Sequence, residues 1–389
     1  MKGQAIYLDY AAATPIDPGV VEAMRLYFSD KFYNPSATYN AARQVHKDLE
    51  AGRAFVAHWL GSKTSEVFFT AGGSEANNLA IHGVMRQFPE ANVVVSGIEH
   101  ESVLEAVKRY DYRIVSVKPD GTIDLLDLEK KIDENTVLVS VMYANNEIGT
   151  IQPLKDVSEI ISKQRTSRYS QILNPTSPIL PLFFHSDACQ AANYLDLSVA
   201  RLGVDLFTIN GGKVYGPKQS GALYVKGGIK LLPIVDGGSQ ERGLRSGTEN
   251  VAGSIGFGVA LNIAQNMRRE EAGRLKTIQQ EFIKLLGEQL PEAVINGSLK
   301  RRLPNNVHVT LPGKDNERLL IQLDEAGVQA AAGSACSASS DEPSHVLKAI
   351  GLTDQTAQSS IRFTLGRGTT MEMIKHTVEL LKDLVKTSP

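Results

Sequence analysis

Four short stretches set reactive side chains where chemistry could use them. In FTINGGKVYGPKQSGALYV (207–225), Lys213 lies in a glycine-rich turn. A partly desolvated amine there can be neutral and form a Schiff base with a carbonyl. In HSDACQ (185–190), Asp187 ends a strongly apolar run. A carboxylate at such a place needs a cationic partner, and a protonated ring nitrogen would be one, because the carboxylate keeps the ring an electron sink. In TAGGSEANNLAI (70–81), Gly72, Gly73 and Ser74 occupy a strand-to-helix turn whose N–H groups can cradle a phosphate. The spaced glycines and the following lysine of a P-loop are missing. In QAAAGSACSASS (329–340), Cys336 stands among small residues, which give a nucleophilic thiol the access it needs. Each stretch also has an ordinary reading: a hairpin lysine, a carboxylate paired with an arginine, a capped turn, a small residue in a turn.

The elements that must position these groups are legible as well. From about Val56 to Lys226, the apolar runs EVFFT, NVVVSG, TVLVSVMY, PLFFHSDA and VDLFTIN alternate with segments of helical period, the pattern of a mainly parallel α/β sheet. A polar cluster follows four of these runs directly, which is where open α/β sheets bind ligands. Residues 252–289 read as long helices bridging to a second domain. Beyond them, NNVHVTL and SSIRFTL read as strands, and NERLLIQLDEAG and MEMIKHTVELLKDLVK as helices, of a smaller α+β domain. The expected division is 16–255 for the large domain and 1–15 with 256–389 for the small one. Residues 163–182 hold three prolines and no acid and predict a surface loop whose three basic residues face solvent. Phosphate turn, histidine (His100), acid and lysine arrive in the order that a pyridoxal phosphate site requires.

Composition bounds the alternatives. The 389 residues are 42% hydrophobic and 22% charged with a formal net charge of -2, so neither a nucleic-acid footprint nor a polybasic membrane patch is expected. No stretch has the apolar length of a membrane span or of a signal peptide, and the expected location is the cytoplasm. The two cysteines, Cys189 and Cys336, have neither disulfide nor metal-site spacing. Cys189 reads as a small packing residue.

The motifs YLDYAAATP, NPSA, GGSEANNLAI, EHESVL, NNEIG, DACQ, GGKVYGPK, ERGLRSGTEN, GSACSASSDEPSHVLKAIGL and SSIRFTLGR run almost from end to end. Together they resemble the cysteine desulfurases of the class V aminotransferase group, pyridoxal phosphate enzymes of fold type I. The resemblance implies a homodimer that converts L-cysteine to L-alanine. Sulfur would pass as a persulfide on Cys336 to an acceptor, such as an iron–sulfur scaffold or a tRNA-thiolation enzyme. It implies that Lys213 holds the cofactor, Asp187 meets its ring nitrogen, Gln190 its ring oxygen, and Gly73 and Ser74 its phosphate. His100 would stack on the ring and help move protons, and Asn146 would lie beside cofactor or substrate. Thr248 would reach the phosphate in the neighbouring subunit, and Arg362 with Asn34 would grip the substrate carboxylate. No resident metal is implied, although Cys336 could ligate an iron–sulfur cluster in passing. A selenocysteine lyase or another class V enzyme is the alternative on the same fold.

Two positions depart from the pattern. Where such enzymes usually carry a histidine directly before the lysine and a serine two positions earlier, this chain has Gly212 and Asn210. Two phosphate contacts are thereby removed unless Asn210, backbone amides or Thr248 replace them.

Overall fold

The computed structural model describes residues 5–170, 179–333 and 343–387. Among these residues, twelve strands form three sheets. The largest contains β2 (Val67–Thr70), β3 (Asn92–Ser96), β4 (Asp111–Val115), β5 (Thr136–Ser140), β6 (Phe183–Asp187), β7 (Leu206–Asn210) and β8 (Gly221–Val225), in the order β2-β8-β7-β6-β5-β3-β4. Only β8 runs against its neighbours. Strands β2, β3, β5, β6 and β7 therefore point the same way and deliver their C-terminal ends to one edge.

The expected strands formed because helices cover both faces of the sheet, so these strands are nearly continuously apolar. Strand β4 was not legible as one. It lies at the sheet edge with Asp111, Tyr112 and Ile114 exposed, so DYRIV carries no continuous apolar run. The predicted loop at 163–182 is corrected in its first part, where the helix Leu154–Ser170 continues through 163–170. Its prolines all come later in the sequence. Nor do all its basic side chains face solvent. Arg168 is buried and donates to the carbonyls of Thr136 (2.8 Å) and Leu180 (3.2 Å), while Arg165 pairs with Asp205.

The second sheet is antiparallel, β12 (Ser360–Thr364), β10 (Asn306–Thr310) and β9 (Val294–Ile295) in that order. A parallel pair, β1 (Ile6–Tyr7) with β11 (Val328–Gln329), completes the set. The long helical stretch predicted near 252–289 is one helix of 39 residues, Val251–Gln289, and the expected domain division falls near its start. Its first half packs Phe257, Ala260, Leu261 and Ala264 into the core of the large sheet. Its second half packs Leu275, Ile278, Phe282 and Leu286 into a separate core with Val307, Ile361 and Phe363. One rigid rod thus belongs to both cores. Gly258 permits its close crossing over the helix Asn40–Leu60, because a Cβ there would lie 2.4 Å from the Gly52 carbonyl oxygen. That contact offsets the roughly 1 kcal/mol that glycine costs inside a helix. No helix among the described residues is long and apolar enough to cross a membrane.

Candidate active site

The shared edge of the large sheet carries most of the residues that the sequence singles out. After β2, Gly72 turns the chain with φ at 132° and the helix Gly73–Met85 begins, putting Gly73 and Ser74 in its first turn. After β3, His100 caps the helix Glu101–Val107. Asn146 follows β5, Asp187 ends β6 with Gln190 just beyond it, and Asn210 ends β7 and caps the short turn Gly211–Lys213. Gly73, Ser74, His100, Asn146, Asp187, Gln190, Asn210 and Lys213 line one pocket, and Arg362 joins them from β12 in the other sheet. Asn34 and Thr248 do not line it. Both are exposed, and the Asn34 side-chain oxygen accepts from the Ser36 N–H at 2.9 Å. Cys336 lies outside the described residues. On the near side of it, Ala331 exchanges backbone hydrogen bonds with Arg362 at 2.6 and 3.2 Å. On the far side, the His345 Nε2 lies 2.9 Å from the Glu99 carbonyl oxygen.

Within the pocket, polar groups are held in fixed directions. The Lys213 amine donates to the carbonyls of Ala11 (2.8 Å) and Ala12 (2.6 Å), and Gln190 Nε2 donates to Ala11 as well, at 3.0 Å. Asp187 is buried, its Oδ2 accepting from Asn77 Nδ2 at 2.7 Å and its Oδ1 from the Cys189 N–H at 2.9 Å. Both partners are neutral, and among the described residues Asp187 has no ion pair. Arg362, only 1% exposed, donates through Nη2 to Asp9 at 2.7 Å and through Nη1 to the Asn146 carbonyl at 3.2 Å. Its Nε is buried and has no partner among the described residues. Asn210 Oδ1 accepts from the Gly212 N–H at 2.9 Å, which tightens the turn that carries Lys213.

A family profile described as aminotransferase class-V matches residues 6–376. The chain belongs to this family. It is 39% identical over 388 residues to "Cysteine desulfurase IscS" of Dictyoglomus turgidum, covering 98% of this chain and 94% of that protein. It is also 39% identical to "Cysteine desulfurase IscS 1" of Archaeoglobus fulgidus, covering 98% and 97% of the two chains. Among solved structures, one titled "NIFS-LIKE PROTEIN" superposes with a TM-score of 0.89 at 31% identity, over 98% of this chain and all of that one (100%). Another, "SspA in complex with cysteine", superposes with a TM-score of 0.78 at 34% identity, covering 92% and 98%. Class V aminotransferases generally work with pyridoxal phosphate, and the mainly parallel sheet is that of fold type I.

In and around the pocket stand groups for which the sequence suggested no role there. Asn77 is wholly buried one helical turn after Gly73 and links Asp187 to Ser102. A polar residue four positions beyond the phosphate turn, on the face that packs against the sheet, was the available signal. Asp9 holds Arg362 from the N-terminal segment, a partnership that no local pattern reveals. Cys189 lines the pocket as well as packing, and its thiol is pushed well up, first by burial and then by the charge of Asp187. Beside His100, the fully buried Glu99 has its carboxyl pushed up mainly by desolvation.

His185, two residues before Asp187, is fully buried between Ser140 Oγ (2.9 Å from Nδ1) and Thr208 Oγ1 (3.1 Å from Nε2). Burial lowers its pKa to about 4. The unfolded chain takes up this proton near the ordinary histidine value while the folded chain resists, so stability falls as pH drops from about 6.5 toward 4. His185 should account for about 2 kcal/mol of the stability lost between pH 7 and pH 5. Urea unfolding at the two pH values checks this. His185→Gln should shrink the difference by about that amount, and an unchanged difference would refute the assignment.

Proposed function

We propose that the chain is a pyridoxal phosphate-dependent cysteine desulfurase. It takes sulfur from L-cysteine, releases L-alanine and carries the sulfur as a persulfide on Cys336 to an acceptor protein. The observation that carries this reading is the convergence of Lys213, a buried Asp187 faced only by neutral donors, and a buried Arg362 on one pocket. The relatives' names, and the cysteine complex of a structural neighbour, point the same way.

The cofactor, when bound, supplies an electron sink for the substrate carbon that loses its proton. Asp187 fits the role of counter-charge to a cationic ring nitrogen, since a buried carboxylate without an ion pair gains from one. Gly73 and Ser74, at the start of a 13-residue helix, offer N–H groups and a hydroxyl to the phosphate, with the Asn210 amide beside them. Lys213 would hold the cofactor, and its amine would take the substrate's proton. Gln190 would meet the ring oxygen, and Asn146 would lie beside ring and substrate. Arg362 takes the substrate carboxylate, and its unpartnered Nε is a donor that an anion would satisfy. The two backbone bonds between Ala331 and Arg362 tie the segment leading toward Cys336 to this same arginine.

We infer further that the active form is a homodimer in which Thr248 of one subunit reaches the cofactor phosphate of the other. In the same assembly, Asn34 assists at the substrate carboxylate. The acceptor is an iron–sulfur scaffold or a tRNA-thiolation enzyme. Incubation with L-cysteine followed by mass measurement of the Cys336 peptide tests the central reading. One added sulfur on that peptide, with an equivalent of alanine, is the expected result. Alanine without added sulfur, or no turnover of cysteine by the cofactor-loaded protein, would overturn it.

A further inference from the structure

The hydrogen bonds beneath the pocket form a line with one polarity, and it ends at His100. Its fixed end is Asp187, whose carboxylate oxygens accept hydrogen bonds. The side-chain atom of Asn77 that lies 2.7 Å from Oδ2 is therefore the amide nitrogen. That same Nδ2 lies 2.9 Å from Ser102 Oγ and donates to it, while Asn77 Oδ1 is buried with no partner among the described residues, the cost of holding the amide this way round. Ser102 Oγ, having accepted, has its own proton to give, and His100 Nδ1 is 2.9 Å away. The Ser102 backbone N–H also donates to Nδ1, at 3.1 Å, and an amide N–H cannot accept. Two donors thus meet at one ring nitrogen, which has to present its lone pair to them.

We propose that this line fixes His100 as the tautomer with its proton on Nε2, so that it serves the pocket as a hydrogen-bond donor, with Asn77 and Ser102 as its positioning residues. The proposal rests on the reading of the pocket as a cysteine desulfurase site and sharpens it. In the neutral ring, Nε2–H has no lone pair with which to accept the substrate's proton. Proton removal therefore falls to the Lys213 amine, and His100 holds an electron-rich atom of the substrate or cofactor by hydrogen bonding.

The test is two-bond ¹H–¹⁵N correlation spectroscopy of the full-length, cofactor-loaded protein with ¹⁵N-labelled histidines, at neutral pH. There are eight histidines, and His100 is assigned as the signal lost in His100→Asn. The expected pattern is that of an Nε2–H ring, and an Nδ1–H pattern overturns the proposal. Ser102→Ala and Asn77→Ala should each move the Nδ1 resonance and lower kcat about tenfold, with KM changed less than about twofold. His100 resonances and kcat unchanged in both variants would remove the positioning role. Alanine release by the same wild-type sample is measured separately. Turnover together with an Nδ1–H ring sinks only this inference, whereas an Nε2–H ring without turnover sinks the functional reading.

Discussion

Lys213→Ala is expected to abolish cysteine turnover, by roughly three orders of magnitude or more, and to remove the visible absorbance of lysine-bound cofactor. Two effects add. Under the proposed function, the substitution deletes the amine that would form the Schiff base and the base that would take the substrate's proton. Lys213 also ties down the carbonyls of Ala11 and Ala12, so some loss of stability accompanies the loss of activity. Thermal melting separates the two effects: a variant that melts within a few degrees of the parent, yet lacks absorbance and turnover, has lost chemistry and kept its fold. Retained absorbance at the parent's intensity would remove Lys213 from its assigned role.

Cys336→Ala should have an equally large effect on a different observable. Persulfide formation and reductant-driven sulfide release should fall to background, while cofactor absorbance and melting temperature stay at the parent's values. The second thiol gives an internal control. Cys189 lines the pocket, but its thiol is pushed well up by burial and by Asp187, so it supplies little thiolate. Cys189→Ala should therefore leave the added sulfur on the Cys336 peptide. If sulfur appeared on Cys189 in the Cys336→Ala protein, the division of labour between the two cysteines would be wrong.

Most of the site was legible because it is built from strand ends. An apolar run followed by a polar cluster is a local pattern, and Gly73, His100, Asp187, Asn210 and Lys213 each stand in such a cluster within the chain. What was not legible depends on contacts between distant segments. Asn77 looks like any helical asparagine until the sheet lies under it, and the carbonyls that hold Lys213 come from residues 11 and 12. Strand β4 was missed because an edge strand has little apolar pattern to read, and the helix through 163–170 because prolines further along the segment dominated its reading. Asn34 and Thr248 are exposed and away from the pocket of their own chain, which is where residues serving a second subunit would lie. Gly212 leaves the turn without a side chain, and Asn210 closes it instead.

The ion pair between Asp9 and Arg362 joins residues 353 positions apart. Its consequence concerns time rather than geometry. Arg362 leaves the ribosome after every strand of the large sheet, the last of which ends at Val225. Loop closure over such a separation is entropically costly and comes late in folding. The strand-end cluster can assemble early, but Arg362, proposed to hold the substrate, arrives only after the strand that carries it has paired. A nascent chain is thus expected to pass through a stage in which the strand-end cluster is formed and Arg362 is not yet beside it.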